Sequence, residues 1–147
     1  MYDNILIPTD GSDPVEAAAE HAIELAANVG ATVHALYAVE PETTTLPSEA
    51  MRHDEVYDEY VDWGEQITTD LAERARAHGV DATATVTDGV PHEAISAYAE
   101  QNDVDLVVMG TAGRTGLQEQ VLGSVTERTL RTTSVPVLTM YGGDEAT

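Results

Sequence analysis

Apolar residues follow two alternating patterns along the chain. Short runs bounded by turn residues are typical of strands, and five occur, at residues 4–10, 32–40, 81–89, 104–109 and 135–141. Apolar residues at helical spacing lie between them, at residues 12–30, 49–78, 91–98 and 121–131. Strands that alternate with helices are typical of a parallel sheet with right-handed crossovers and helices on both faces. The pattern predicts one doubly wound α/β domain over residues 1–147.

Individual residues predict where the elements end and which faces are buried. Asp13 and Pro14 suit the start of the first helix, while Gly30 and Gly79 are expected to end the first two helices. Pro136 favours a sheet edge for the fifth strand. The expected buried stripe of the first helix is Val15, Ala18, Ala22, Leu25 and Val29. That of the second helix is Val56, Tyr60, Trp63, Ile67 and Leu71.

The charge balance is extreme. The chain has 27 Asp and Glu against 6 Lys and Arg, a formal net charge of −21, and all the basic residues are arginine. Glu16, Glu20 and Glu24 share one face of the first helix with no basic partner. The regular apolar periods exclude an acidic disordered chain. Charge is screened over about 3 Å at roughly 1 M salt, so the composition predicts a folded protein from a cytoplasm near saturating salt.

Several function classes are excluded by what the sequence lacks. No stretch is long and apolar enough to cross a bilayer, which predicts a soluble cytoplasmic protein. No clustered Lys and Arg are present to bind nucleic acid. The absence of lysine excludes a Walker phosphate loop and a response-regulator receiver, and the absence of cysteine excludes disulfides and thiolate chemistry. A lone histidine in the second strand, His34, is expected to pack rather than to bind metal.

Four glycines lie between the fourth strand and the last helix, in MGTAGRTGLQEQVLGS at residues 109–124. Because glycine weakens both helix and strand, this segment is either a phosphate cradle or only a loosely built loop. A second turn-rich loop, PTDGSD, follows the first strand. Ligands of doubly wound sheets bind beyond the carboxyl ends of the strands, where the strand order reverses. The two loops are therefore expected to converge on one crevice.

Three segments resemble the universal stress protein family, in the right order and over nearly the whole chain. They are the opening ILIPTDGS, the pattern Gly110-x-x-Gly113 followed by Arg114, and Gly123-Ser124 with the closing GSVTERTLRTTSVPVL. The resemblance implies a five-stranded Rossmann-like sheet of the adenine nucleotide alpha hydrolase type, in the order 3-2-1-4-5. It also implies a stress-response protein that binds a nucleotide, ATP or AMP, with Mg²⁺ bridging the phosphates.

The phosphate end of the implied site has a clear chemical basis. Gly110 and Gly113 permit positive φ and allow backbone N–H groups to approach an anion. Gly123 and Ser124 lie near a helix N-terminus, where free N–H groups and the helix dipole favour phosphate. Arg114 would neutralise part of a triphosphate. Gly116 matches no phosphate role, and Ala112 departs from the His or polar residue of many relatives.

The nucleoside end follows from the same resemblance. The Asp10 carboxylate resembles the family acid that accepts hydrogen bonds from ribose hydroxyls or the adenine amino group; its alternative role is a turn or helix cap. The further contacts implied around the base and the cradle are Pro8, Thr9, Val39, Met109 and Val125. The family's dimers imply a homodimer through the fifth strand, which begins at Val135 and ends at Tyr141.

Other functions remain open at this stage. Adenylating enzymes of a related fold resemble the first loop, although TDGSDP imitates only part of their Ser-Gly-Gly-x-Asp-Ser turn. An interaction module that has lost its nucleotide is disfavoured by the intact glycine pattern. No catalytic residue is assigned, so any ATP hydrolysis is expected to be slow.

Overall fold

The computed structural model describes residues 2–11, 13–40, 50–110 and 123–140. These residues form five strands and four helices that alternate along the chain. The strands are β1 (Asn4–Pro8), β2 (Thr32–Val39), β3 (Ala82–Asp88), β4 (Leu106–Gly110) and β5 (Val137–Met140). The helices are α1 (Asp13–Val29), α2 (Ala50–Ala77), α3 (Pro91–Gln101) and α4 (Ser124–Thr132).

The strands form one parallel sheet in the order β3-β2-β1-β4-β5. This arrangement confirms the predicted doubly wound fold and its strand order. The order reverses between β1 and β4, and β5 lies at an edge, as Pro136 predicted. All of β4 is buried, while every residue of β5 is partly exposed.

Two apolar layers cover the two faces of the sheet. Successive residues of a strand point to opposite faces, so Ile5 and Ile7 join one layer while Leu6 joins the other. The first layer includes side chains of α1 and α2, and the second includes side chains of α3. The fold thus buries β1 at its centre and leaves the carboxyl ends of the strands beside the connecting loops.

The two predicted helix stripes are only partly correct. In α1, Val29 is 37% exposed, and the buried face is built mainly of Ala18, Ala19, Ala22, Ile23 and Ala26. In α2, Trp63 is 41% exposed, and Gly64, Thr68, Leu71, Ala72 and Ala75 face inward. Most of these inward positions carry small residues, which let a helix approach the sheet closely. Val29 and Trp63 lie at the margins of the two helix faces instead.

The predicted helix ends are confirmed where glycine was expected to stop a helix. Gly30 has φ +77° and Gly79 has φ +80°, and both accommodate the left-handed turn that ends α1 and α2. The last helix was predicted over residues 121–131, but residues 121 and 122 lie outside the described part and α4 begins at Ser124. The side chains of residues 13 and 14, predicted to cap α1, also lie outside it.

Glu16 has a basic partner, contrary to the prediction for its face of α1. Its Oε1 accepts a hydrogen bond from Nη1 of Arg74 on α2 at 2.6 Å. The prediction failed because it considered neighbours on one helix, whereas this arginine comes from the helix packed beside it. Glu20 and Glu24 remain exposed on the same helix.

Candidate functional site

The carboxyl end of β1 leads into a tight turn at Thr9 to Gly11. The Thr9 N–H donates to the Leu36 carbonyl oxygen at 2.9 Å and continues the pairing with β2. The Gly11 N–H donates to Thr9 Oγ1 at 3.1 Å. Gly11 has φ +81°, a conformation that favours glycine. These bonds place Asp10, which is partly exposed, between two fixed residues.

The end of β2 lies beside this turn. Val39 is only 1% exposed, and its carbonyl oxygen accepts a hydrogen bond from the Gly89 N–H at 2.9 Å. Val39 therefore forms part of a closed apolar surface one strand away from Asp10.

The first turn of α4 is attached directly to the end of β4. The Thr126 hydroxyl donates to the Gly110 carbonyl oxygen at 2.8 Å, and this bond is buried. Gly123 is the N-cap residue and supplies no side-chain cap, while Ser124 is exposed. The first N–H groups of a helix have no partner within it. The N-terminus of α4, to which Gly123 contributes no side-chain cap, thus lies at the carboxyl end of β4, next to β1 in the sheet.

The structure describes two glycines of the predicted cradle, and neither has a positive φ, which was expected only at Gly110. Gly110 is the last residue of β4 and pairs with Met140, so it has the extended backbone of a strand. Gly123 has φ −66° and ψ 157°, which most residues can adopt. The expected positive φ at Gly110 was wrong, because the strand extends one residue beyond Met109. Gly113, Arg114 and Gly116 lie outside the described residues.

The predicted residues that the structure describes therefore meet at one edge of the sheet. They lie after β1, at the end of β2, at the end of β4 and at the start of α4. In chain order they are Pro8, Thr9, Asp10, Val39, Met109, Gly110, Gly123, Ser124 and Val125. Tertiary pairing of β1 with its two neighbours brings these distant segments together.

Trp63 and Gly11 form a contact at this edge that sequence reasoning missed. A Cβ atom built on Gly11 would lie 2.7 Å from Cζ2 of Trp63, and 3.4 Å from Cγ2 of Ile67. The indole ring thus lies against the backbone of the Thr9–Gly11 turn. Helical periodicity placed Trp63 on a buried stripe, and no local pattern linked it to a turn 52 residues earlier.

A cavity of about 540 Å³ borders this turn, between α1 and α2. Its lining includes Gly11 and Ile67, together with the Glu16–Arg74 ion pair, Asp70 and Glu73. It is separate from the residues predicted to hold a nucleotide, except that Gly11 borders both.

His34 takes no part in this edge. It is 8% exposed, and its ring nitrogens contact the Tyr98 hydroxyl at 2.7 Å and Asn4 Oδ1 at 3.0 Å. Burial lowers the pKa of His34 below its usual value. This histidine is a packed and hydrogen-bonded core residue, as its isolated position in the second strand predicted.

The fold and this edge define a class of protein: a doubly wound α/β protein whose candidate site lies where the strand order reverses. The model of the universal stress protein family matches residues 1–140. The chain therefore belongs to the universal stress protein family. No helix among the described residues has the length and apolar character needed to span a membrane.

Individual relatives agree with this assignment. Universal stress protein MJ0531 of Methanocaldococcus jannaschii is 39% identical over 140 residues, which cover 94% of this chain and 81% of the relative. The solved structure of protein MJ0577 from the same organism has a TM-score of 0.86 at 28% identity and covers 96% of both chains. A universal stress protein solved in complex with cAMP has a TM-score of 0.68 at 26% identity, covering 97% of this chain and 98% of that one.

Proposed function

We propose that this protein binds an adenine nucleotide, ATP or AMP, at the carboxyl edge of β1, β2 and β4 and acts as a regulatory module in a stress response. The observation that carries the proposal is the buried hydrogen bond from Thr126 to Gly110. It holds the start of α4 at the carboxyl end of β4, the strand beside β1, which leads into the turn that carries Asp10. The nucleotide complex of the relative with cAMP supports the same ligand class.

The nucleoside is assigned to the turn after β1. Asp10 would accept hydrogen bonds from ribose hydroxyls or the adenine amino group, and Pro8 and Thr9 would provide backbone contacts. Val39 and Met109, which are both buried, would form apolar walls for the base. These residues come from three adjacent strands and require no movement of the sheet.

The phosphates are assigned to the end of β4 and the start of α4. Backbone N–H groups near Gly123, Ser124 and Val125 would bind phosphate oxygens, favoured by the helix dipole. From the sequence we assign Gly113 and Arg114 to the same cradle. Among the described residues no group of three or more His, Cys, Asp or Glu is placed to hold a metal ion. We propose that Mg²⁺ would bridge the phosphates of the bound nucleotide.

The protein is proposed to bind nucleotide rather than to turn it over rapidly. We assign Asp10, the carboxylate in the turn after β1, to the nucleoside end. No described residue is assigned to the activation of water at a phosphate. ATP hydrolysis is accordingly expected to be slow, with the bound nucleotide serving as the signal.

The proposal is tested by the Asp10→Ala variant. Adenosine, AMP and ATP should all bind about tenfold more weakly, or worse, because each loses the same charged acceptor. Calorimetry with the three ligands, in high salt and with magnesium, measures this pattern. The matched control is Asp3→Ala, which removes an exposed carboxylate just before the opposite end of β1. Wild-type protein that binds none of the three ligands would exclude the proposed function.

A homodimer through the edge strand is the second part of the proposal. Val137 packs against one apolar layer and Leu138 against the other, so their side chains serve the core. The Pro136 carbonyl accepts the Val107 N–H at 2.9 Å. Because strand residues alternate, Val137 and Thr139 direct their N–H and C=O groups away from β4. A second copy of the chain would form hydrogen bonds with these outward backbone groups.

Thr139→Pro is expected to produce monomers. Proline removes an outward N–H from the edge and leaves the bonds to β4 intact, since edge strands tolerate it. Thr139→Val keeps the N–H and the branched shape and should remain a dimer. Light scattering in high salt measures both masses. A dimer that persists in the proline variant would place the contact on another surface.

We also propose that the chain is adapted to near-saturating salt. The support is the net charge of −21 with no lysine, together with exposed carboxylates such as Glu20 and Glu24 on α1 and Asp58, Glu59 and Asp62 on α2. Such a surface repels itself strongly when salt does not screen it.

A further inference from the structure

The turn that carries Asp10 is held from two sides. On the sheet side, Thr9 bonds to β2 through its N–H, and its hydroxyl accepts the Gly11 N–H. On the other side, the Trp63 ring packs against Gly11, so that a Cβ atom on Gly11 would lie only 2.7 Å from Cζ2 of the ring. Gly11 also needs its positive φ of +81° to make this turn. The close contact and the special backbone conformation therefore occur at the same residue.

The helix that carries Trp63, α2, is itself held against the sheet by contacts with β2 and β3. The Tyr37 side chain of β2 occupies the space that a Cβ at Gly64 would need, so α2 approaches the sheet closely at this point. Nearer the start of α2, the Tyr57 hydroxyl donates to Asp88 Oδ1 at the end of β3, at 2.6 Å. Trp63 thus reaches the turn from a helix that is tied to two other strands.

We infer that Trp63 is a positioning residue for the nucleotide site, and that its indole ring clamps the turn after β1 so that Asp10 is held ready for the nucleoside. This inference rests on the function proposed above and adds a residue to it. Trp63 acts through Gly11 and does not contact the ligand. Its exposure of 41% fits this role, because one part of the ring covers the turn while another part meets solvent.

The binding test uses Trp63→Ala, with Trp63→Phe as the conservative variant. Adenosine, AMP and ATP should lose affinity by the same factor, about tenfold. Tripolyphosphate, which lacks a nucleoside, should bind as it does to the wild type. Trp63→Phe should recover part of the loss because it retains an aromatic ring. Val29→Ala is the matched control, since it truncates another exposed apolar side chain at the far end of α1, 37% exposed.

A second measurement needs no nucleotide. Hydrogen exchange of the Thr9 and Gly11 amides in the free protein should be faster in Trp63→Ala and unchanged in Val29→Ala. Because Trp63 is the chain's one tryptophan, its fluorescence should also change when adenosine binds the wild type and stay constant with tripolyphosphate.

The outcomes separate the two proposals. Wild-type protein that binds none of adenosine, AMP and ATP would exclude the proposed function, and the inference with it. If the wild type binds adenosine and Trp63→Ala binds it equally well, only the inference is wrong. An equal loss for adenosine and tripolyphosphate would show general destabilisation and would also overturn the positioning role.

Discussion

Replacing Gly123 by valine is expected to weaken ATP binding by at least about tenfold, or ~1.4 kcal/mol, and to leave adenosine binding unchanged. Gly123 is the N-cap of α4, at φ −66° and ψ 157°. A branched residue can adopt this conformation, so the helix should still form. The added side chain would instead crowd the helix N-terminus where the phosphates are proposed to bind. Calorimetry with ATP, AMP and adenosine, in high salt with magnesium, measures the difference.

Gly123→Ala serves as the matched control because it adds a single methyl group at the same position. Its loss of ATP affinity should be smaller than that of Gly123→Val. Circular dichroism should show equal helix content in the two variants. Wild-type ATP affinity in Gly123→Val would mean that this glycine shapes a loop and does not border a phosphate.

Dilution from multimolar KCl to about 0.1 M is expected to unfold the protein or separate the proposed dimer. The Debye length grows from about 3 Å at 1 M to about 10 Å at 0.1 M, so repulsion then reaches between neighbouring surface carboxylates. The described ion pairs join Arg74 to Glu16 and Arg131 to Glu127, both with exposed side chains. Exposed pairs contribute little. Circular dichroism melts over a KCl series measure the transition.

Charge removal distinguishes screening from other effects of salt. The double variant Glu20→Gln, Glu24→Gln removes two exposed carboxylates from α1 and should move the transition to lower KCl. Glu16→Gln should not produce that shift, because the Glu16 carboxylate already has Arg74 as a partner. A melting temperature that does not change with KCl in the wild type would refute the proposed salt adaptation.

The strands, helices and strand ends were largely predictable because their signals are local. Gly30 and Gly79 end helices since their left-handed φ is a property of one residue and its neighbours. The short apolar run at residues 104–109 indicated a strand, and β4 lies there and is buried throughout. Pro136 is also a local signal: proline lacks the N–H that a central strand needs, so it indicated that the fifth strand lies at an edge of the sheet.

Distances between separate elements were not predictable from these local signals. A helical period shows that α2 has an apolar side, but contact with the sheet selects its small residues and leaves Trp63 at the margin. The Glu16–Arg74 pair, the bond from Thr126 to Gly110 and the contact of Trp63 with Gly11 each join elements far apart in the chain. These contacts depend on how the elements pack, so the sequence determined the elements and their order, and the tertiary structure decided which side chains meet at the site.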